Sequence, residues 1–192
     1  SYSRKTKFHY FCDMYKGLED YISFLESEGE LIRIMEYVNP ELEIACLTDM
    51  ESKKPGGGKA LLFENTGTDY PVITNMMGSE KRILSALGLN SFDEVRERIS
   101  ILTASLMSEK RGFLDKLKML PLVREASQWL PKDRKGSAPC QEVVQFKPRL
   151  SDLPILKCAP LDGGRFITLP VVNTQSPVTG LRNVGMYRMQ VL

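Results

Sequence analysis

Histidine is almost missing from this sequence: His9 is the only one among 192 residues. It lies ahead of the first periodic segment, and no GxSxG nucleophile elbow exists, so triad chemistry of the hydrolase kind has no support. Cysteine is also scarce, with Cys12, Cys46, Cys140 and Cys158 widely scattered. No CxxC pair or Cys/His cluster has zinc spacing, and four reduced thiols in a cytoplasmic protein is the reading taken. No apolar run approaches the roughly 20 residues that span a bilayer. Arg4, Lys5 and Lys7 are not followed by the apolar stretch of a secretory signal. Net charge is small as well: 26 Lys and Arg against 24 Asp and Glu give +2, which offers no whole-chain argument for nucleic acid or membrane binding.

Ordinary globular material remains, 42% hydrophobic and 26% charged, and its periodicities can be followed along the chain. Leu18, Tyr21, Ile22 and Leu25 recur at helical spacing, with Gly29 as the stop. Leu31 to Ile34 reads as a strand. Asn39-Pro40 offers an N-cap and a first-turn proline for a helix to about Met50 that buries Leu42, Cys46 and Met50. Pro55 to Gly58 breaks the chain, and Ala60 to Phe63 and Tyr70 to Thr74 read as strands. Ser79 caps a helix carrying Ile83, Leu84 and Leu87 and stopped at Gly88. Ser91 with Glu94 fits a capping box ahead of Val95, Ile99, Leu102 and Leu106, and a further helix is expected from Phe113 to Leu120.

Strands alternating with helices predict a mixed α/β domain over residues 1–130. The charged, Pro- and Gly-bearing stretch PKDRKGSAP marks a linker, placed at 131–141. From 142 to 192 helical periodicity disappears. Glu142 to Phe146, Phe166 to Thr174 and Arg182 to Val191 read as strands, the last two joined through Ser176 to Gly180 as a hairpin. Such a set leaves unpaired edges and little core, so this β unit is expected to be incomplete.

Three stretches invite functional readings. Gly58-Lys59 lacks the distal Gly and following Ser/Thr of a phosphate loop, since Lys53 and Ala60 stand there; it reads as a turn. Lys110 to Lys135 holds eight basic residues without interleaved aromatics, and reads as a solvated face and linker rather than a nucleic-acid surface. The segment from Arg182 to Val191 is the most unusual, because polar and charged groups share a strand that should pack a core. Alternation puts Asn183, Gly185, Tyr187, Met189 and Val191 on one side and Val184, Met186, Arg188 and Gln190 on the other. An unpaired Arg188 facing a core would be costly, so it should meet an anion, and a salt bridge explains it as well as a ligand does.

LPILKC at 153–158, DGGRFITLP at 162–170 and TGLRNVGMYRMQV at 179–191 closely resemble the UbiD decarboxylase family. LEDYISFLESEGELIRI (18–34), NPELEIACLTD (39–49), ALLFEN (60–65) and TNMMGSEKRILSALG (74–88) resemble its N-terminal domain. The resemblance implies an α+β chain: an N-terminal mixed α/β domain, then the first strands of a split β-barrel like that of flavin reductases, which binds FMN. It also implies non-oxidative, sometimes reversible decarboxylation of an aromatic or α,β-unsaturated acid. The cofactors it implies are prenylated FMN, a divalent ion (Mn2+ or Mg2+) and K+, and a quinone-pathway substrate is one candidate. A flavin prenyltransferase would supply the cofactor, and a homo-oligomer is expected.

Carried over by the RNVGMYR motif, Asn183 resembles the metal-ligating asparagine. Met186, Tyr187 and Arg188 resemble residues lining the flavin, and Arg188 the arginine facing the catalytic acid and substrate carboxylate. Asn183 and Arg188 are five apart, which a regular strand places on opposite faces. An irregularity near Gly185 is therefore expected. The family's acidic metal ligand and catalytic carboxylates fall downstream of this motif, so the 192-residue chain alone is expected to be inactive. The rival reading is a non-catalytic assembly module whose free strand edges pair with another chain.

Overall fold

A computed structural model describes residues 15–107 and 136–192 of the chain. Contacts divide it into two units, residues 1–88 together with 149–192, and residues 89–148.

In the first unit, helix α1 (Leu18–Ser27) turns Tyr21 and Leu25 inward, one helical turn apart. It stops in a Schellman closure: the Glu30 amide donates to the Leu25 carbonyl at 2.8 Å and that of Gly29 to Glu26 at 3.1 Å, with Gly29 at φ +66°. The chain leaves this turn directly into β1 (Leu31–Tyr37), which runs parallel to β2 (Ala60–Asn65). β2 pairs in turn with the antiparallel β3 (Val72–Thr74), giving the order β1-β2-β3. A parallel pair needs a crossover, here α2 (Glu43–Ser52).

β2 is buried on both faces, as its unbroken apolar run requires. Ala60 and Leu62 point to one side, where Tyr21, Leu25 and Leu31 close around them. Leu61 and Phe63 point to the other, against Val38 and Ile44, with Leu47 and Leu156 packed alongside. The mixed α/β layer expected from the alternating periodicities is present.

Two local expectations need correction. Asn39 is not the N-cap of α2. Its side chain accepts from the Glu41 amide at 2.8 Å, and the helix begins only after Leu42, which sits at φ +70°. The cause is tertiary: Glu41 forms a bridge with Lys157, whose amide donates to the Pro40 carbonyl at 3.2 Å and whose carbonyl takes the Leu42 amide at 2.9 Å. Nor does α2 bury Leu42, Cys46 and Met50. Cys46 and Met50 are exposed, while Ile44 and Glu51 are buried and Leu47 packs on the core. The helical period was legible; its phase depended on which stripe met Phe63.

Helix α3 (Glu80–Leu87) agrees with expectation at both ends. The Ser79 hydroxyl accepts from the Arg82 amide at 3.2 Å, and Gly88 closes the helix in the left-handed region. Its buried residue, however, is Arg82, 1% exposed, while Leu87 is exposed. The guanidinium donates to Glu30 at 2.9 Å and to the carbonyls of Gly58 at 2.7 Å and Asn75 at 3.2 Å. Asn75, at φ +52°, reaches the same loop from its own side, donating to the Gly57 and Lys59 carbonyls. A Cβ on Gly57 would lie 1.8 Å from the Gly78 carbonyl oxygen, so only glycine fits there.

Carboxylates in this corner tie stability to pH. The Lys81 ammonium holds the Glu30 carboxyl below its ordinary value against the opposing effect of burial, and Arg82 adds to it. Lys54 and the Lys59 amide do the same for Glu51. A carboxyl depressed by folding stabilises the fold above its unfolded value and loses that contribution as pH falls through the folded one. Urea midpoints should therefore hold steady from neutral pH down to about pH 4.5 and fall below it. A midpoint unchanged near pH 3.5 would contradict this reading of both groups.

In the second unit, α4 (Phe92–Met107) starts differently from the expected box: Glu94 accepts from the amide and side chain of Asn90, at 3.3 and 2.9 Å, rather than reaching Ser91. Ile99 is exposed, Leu102 and Leu106 lie on the helix with their side chains outside what is described, and the expected helix at 113–120 lies outside the described residues. Glu142 to Phe146 forms no strand. Val143, Val144 and Phe146 are exposed, because a run of strand-forming residues gains nothing without a neighbour to pair with.

The remaining elements belong to the first unit: β4 (Phe166–Ile167), β5 (Val171–Gln175), β6 (Arg182–Met186) and β7 (Met189–Gln190). They form two antiparallel pairs, β4-β7 and β5-β6. The single strand expected from Phe166 to Thr174 is interrupted ahead of Pro170, which cannot donate to a ladder. No closed barrel is formed among the described residues.

Candidate functional site

The β5-β6 hairpin is set by its turn. The Ser176 hydroxyl accepts from the amides of Val178 and Thr179 at 3.3 and 3.1 Å, and Gly180 takes φ +70°. Register then follows: Gln175 opposes Arg182, Thr174 opposes Asn183, Val172 opposes Gly185 and Val171 opposes Met186. Directly opposed residues share a face, so Asn183 and Gly185 lie on one side and Met186, with Val184, on the other. Val171, Val184 and Met186 are all exposed, at 64%, 61% and 64%, which leaves an apolar face open on this hairpin.

Tyr187 folds back over the first face. Its ring would come within 2.5 Å of a Cβ on Gly185, so the glycine makes room for it. The Asn183 amide group lies 3.5 Å from the Tyr187 hydroxyl, a long contact that leaves the Asn183 carbonyl oxygen free of described protein donors.

The ladder ends at Met186. The Tyr187 amide donates weakly to the Pro170 carbonyl at 3.4 Å, and the chain then changes partner, Met189 and Gln190 pairing with Ile167 and Phe166. The irregularity expected near Gly185 is therefore found at Tyr187-Arg188, the switch between two strand pairs. Arg188 stands at that switch. Its guanidinium carbon is 3.7 Å from the centre of the Phe166 ring, and Nη2 donates to Asp162 Oδ2 at 2.9 Å. Of the four residues singled out by the sequence, the structure brings Asn183 and Tyr187 together, puts Met186 on the opposite face and gives Arg188 a separate partner.

Asp162, the first residue of the DGGRFITLP stretch, was assigned no role from the sequence. The turn itself holds the carboxylate: the Asp162 amide donates to the Ala159 carbonyl and the Ala159 amide to Asp162 Oδ2, both at 3.1 Å. Partial burial pushes the carboxyl up, but Arg188 and the amides of Ala159 and Cys158 together draw it below its ordinary value. An anion is therefore fixed beneath Arg188. The Nε and Nη1 groups of Arg188 meet no acceptor among the described residues, so N–H donors on this side chain are available to a ligand carboxylate.

A divalent ion is fitted only in part. Asn183 offers one neutral oxygen of the kind such ions accept, yet the described residues hold no group of three His, Cys, Asp or Glu able to complete a coordination shell. For a flavin, the exposed Tyr187 ring offers apolar surface next in sequence to a cation, while Met186 stands on the opposite face of the hairpin.

Residues 22–102 match the 3-octaprenyl-4-hydroxybenzoate carboxy-lyase N-terminal domain, and residues 132–192 its Rift-related domain. A protein of Aquifex aeolicus (strain VF5), itself described as uncharacterized, is 48% identical over 180 residues, which is 93% of this chain and 36% of that protein. The chain thus spans about a third of the length of the curated relatives it matches. Vanillic acid decarboxylase of Sedimentibacter hydroxybenzoicus, in closed form, superposes with a TM-score of 0.67 at 29% identity, over 93% of this chain and 35% of that one. An evolved dimeric form of the UbiD-class enzyme HmfF from Pelotomaculum thermopropionicum, in complex with prFMN, shares the fold at a TM-score of 0.61 and 24% identity, over 92% of this chain and 36% of its own. No described helix is long and apolar enough to cross a membrane. With both domain matches in sequence order and the fold shared with UbiD-class enzymes, the chain belongs to the UbiD, or 3-octaprenyl-4-hydroxybenzoate carboxy-lyase, family.

Proposed function

We propose that this chain is the first part of a carboxy-lyase that removes CO2 non-oxidatively from an aromatic or α,β-unsaturated carboxylic acid. The observation that carries the reading is the switch at Tyr187-Arg188, where a cation with free N–H donors follows an exposed aromatic that meets Asn183, whose carbonyl oxygen is free of described protein donors. Prenylated FMN, when bound, supplies the electron sink. Tyr187 and Met186 would line it, Arg188 would orient the acid through its carboxylate, and Asn183 would give one oxygen to a Mn2+ or Mg2+ ion. K+, a homo-oligomeric assembly and a flavin prenyltransferase as cofactor supplier complete the proposal, with a quinone precursor as one candidate substrate. The remaining metal ligands and the proton donor come from outside the described residues.

The test is to express the uninterrupted reading frame that carries this chain together with a flavin prenyltransferase, then record absorbance and cofactor mass. The protein should retain modified flavin, and Asn183→Ala should lower bound metal by about tenfold or more, in line with the sensitivity of such sites. The 192-residue chain alone should retain little of either. The open apolar face of the hairpin supports an assembly role instead, and a metal-replete protein that holds no modified flavin would favour it.

A further inference from the structure

We infer that Asp162 is a positioning residue for Arg188, holding Nη2 of the guanidinium so that its remaining N–H donors are presented to a ligand carboxylate. The inference rests on the reading of Arg188 given above and deepens it. Four contacts define the device. The Ala159–Asp162 turn fixes the carboxylate through the reciprocal 3.1 Å bonds between the two residues. Oδ2 then takes Nη2 of Arg188 at 2.9 Å, and Phe166 supports the guanidinium plane at 3.7 Å. Both supports come from the strand pair that Arg188 itself enters: Phe166 opposes Gln190 across β4-β7, and Asp162 precedes β4 by four residues.

An arginine side chain left alone samples many rotamers, and its fork gains little from a carboxylate it must first find. With Nη2 anchored to Asp162 and one face on Phe166, the guanidinium plane is fixed, and its remaining N–H donors keep a set direction. A structural salt bridge needs no free donors. The arrangement here differs because the ion pair uses one nitrogen only and Arg188 keeps a side-chain exposure of 45%. Gly163 and Gly164 let the turn close on β7: a Cβ at Gly163 would lie 3.0 Å from the Gln190 side-chain nitrogen, and one at Gly164 3.3 Å from the Val191 carbonyl oxygen.

The experiment compares an anionic probe with a neutral one of the same shape. Benzoate and benzamide are titrated calorimetrically into the flavin-loaded product of the uninterrupted reading frame. The variants are Asp162→Asn, Asp162→Ser, Asp162→Glu and Arg188→Gln. Asn and Ser both keep an oxygen acceptor for the Ala159 amide, so the turn is preserved while the charge is removed. Asp162→Asn should weaken benzoate by about tenfold, the size expected for one misaligned charge-assisted bond. Benzamide affinity and flavin content should stay within about twofold, and Asp162→Glu should recover part of the loss.

Benzoate and benzamide weakened together, or benzoate unaffected, would overturn the inference while leaving the role of Arg188 intact. A wild-type protein that binds benzoate no better than benzamide, with Arg188→Gln indistinguishable from it, would sink the reading of Arg188 and this inference with it. If neither Asp162→Asn nor Asp162→Ser melts cooperatively, Asp162 serves folding and the inference fails.

Discussion

Replacing Arg82 by alanine should cost about 3–5 kcal/mol, the loss seen when one partner of a buried ion pair is removed. The side chain is 1% exposed and closes four contacts at once: Glu30 and the carbonyls of Gly57, Gly58 and Asn75. Alanine would leave the Gly58 carbonyl without its donor, while Gly57 keeps the Asn75 side chain and Asn75 the Gly78 amide, and an unsatisfied buried group costs about 1–3 kcal/mol. Arg82→Met fills the volume without the donors and should recover only part of the loss, although an apolar swap can be neutral where a whole pair is replaced. Glu30→Gln should cost much less, because Glu30 keeps 23% side-chain exposure and shares its charge with Lys81 as well. The Nε of Arg82 has no partner among the described residues, so the site already bears some desolvation cost for the sake of the other contacts. Urea midpoints of the three variants decide the matter. A loss below about 1 kcal/mol for Arg82→Ala would show that water enters and replaces the fork.

That Arg82 escaped the sequence reading is instructive. Helical spacing exposed α3, its Ser79 cap and its Gly88 stop, because those signals are local and each has a physical cause within a few residues. What Arg82 meets comes from Gly57, Gly58 and Asn75, and Asn75 reaches the same loop only because the chain takes φ +52° there. None of that leaves a mark at position 82. The phase of α2 failed for a related reason. Ile44 and Leu42 each start a plausible apolar stripe, and the choice was made by Phe63 and by the Leu42–Lys157 bridge, both distant in sequence. Glu142 to Phe146 shows the opposite error, since β-branched residues were read as a strand where no partner exists among the described residues.

The candidate site was legible in outline through its motif. Alternation placed Asn183, Gly185 and Tyr187 on one side of the strand, and the structure keeps them there, with the ring over the glycine. The five-residue separation between Asn183 and Arg188 required a break, and one occurs, two residues later than Gly185. Asp162 was not legible as a site residue. An Asp-Gly-Gly turn before a strand is common, and only the β4-β7 pairing brings it under Arg188.

Phe63→Ala should match Arg82→Ala in size, at about 3–5 kcal/mol, and should differ from it in where the damage spreads. Phe63 is fully buried at the centre of β2, opposite Val72 on one neighbour and Ile34 on the other. Its cluster includes Ile44 of the crossover helix and is joined by Leu156. Leu156 accepts the Phe166 amide at 2.9 Å, and Phe166 supports Arg188, so the cavity opens beneath the segment that carries the candidate site. Leu25→Ala supplies the control. Leu25 is equally buried, but in the cluster on the other face of the sheet with Tyr21 and Leu31. Its expected cost of about 2–5 kcal/mol should fall on the whole unit evenly. Amide hydrogen exchange separates the two cases. At matched global stability, the Phe166 and Leu42 amides should lose more protection in Phe63→Ala than in Leu25→Ala, because local opening follows the packing that is lost. Equal loss in both variants would mean that the Leu156–Phe166 segment is held by its own strand pairing and does not depend on the core beneath it.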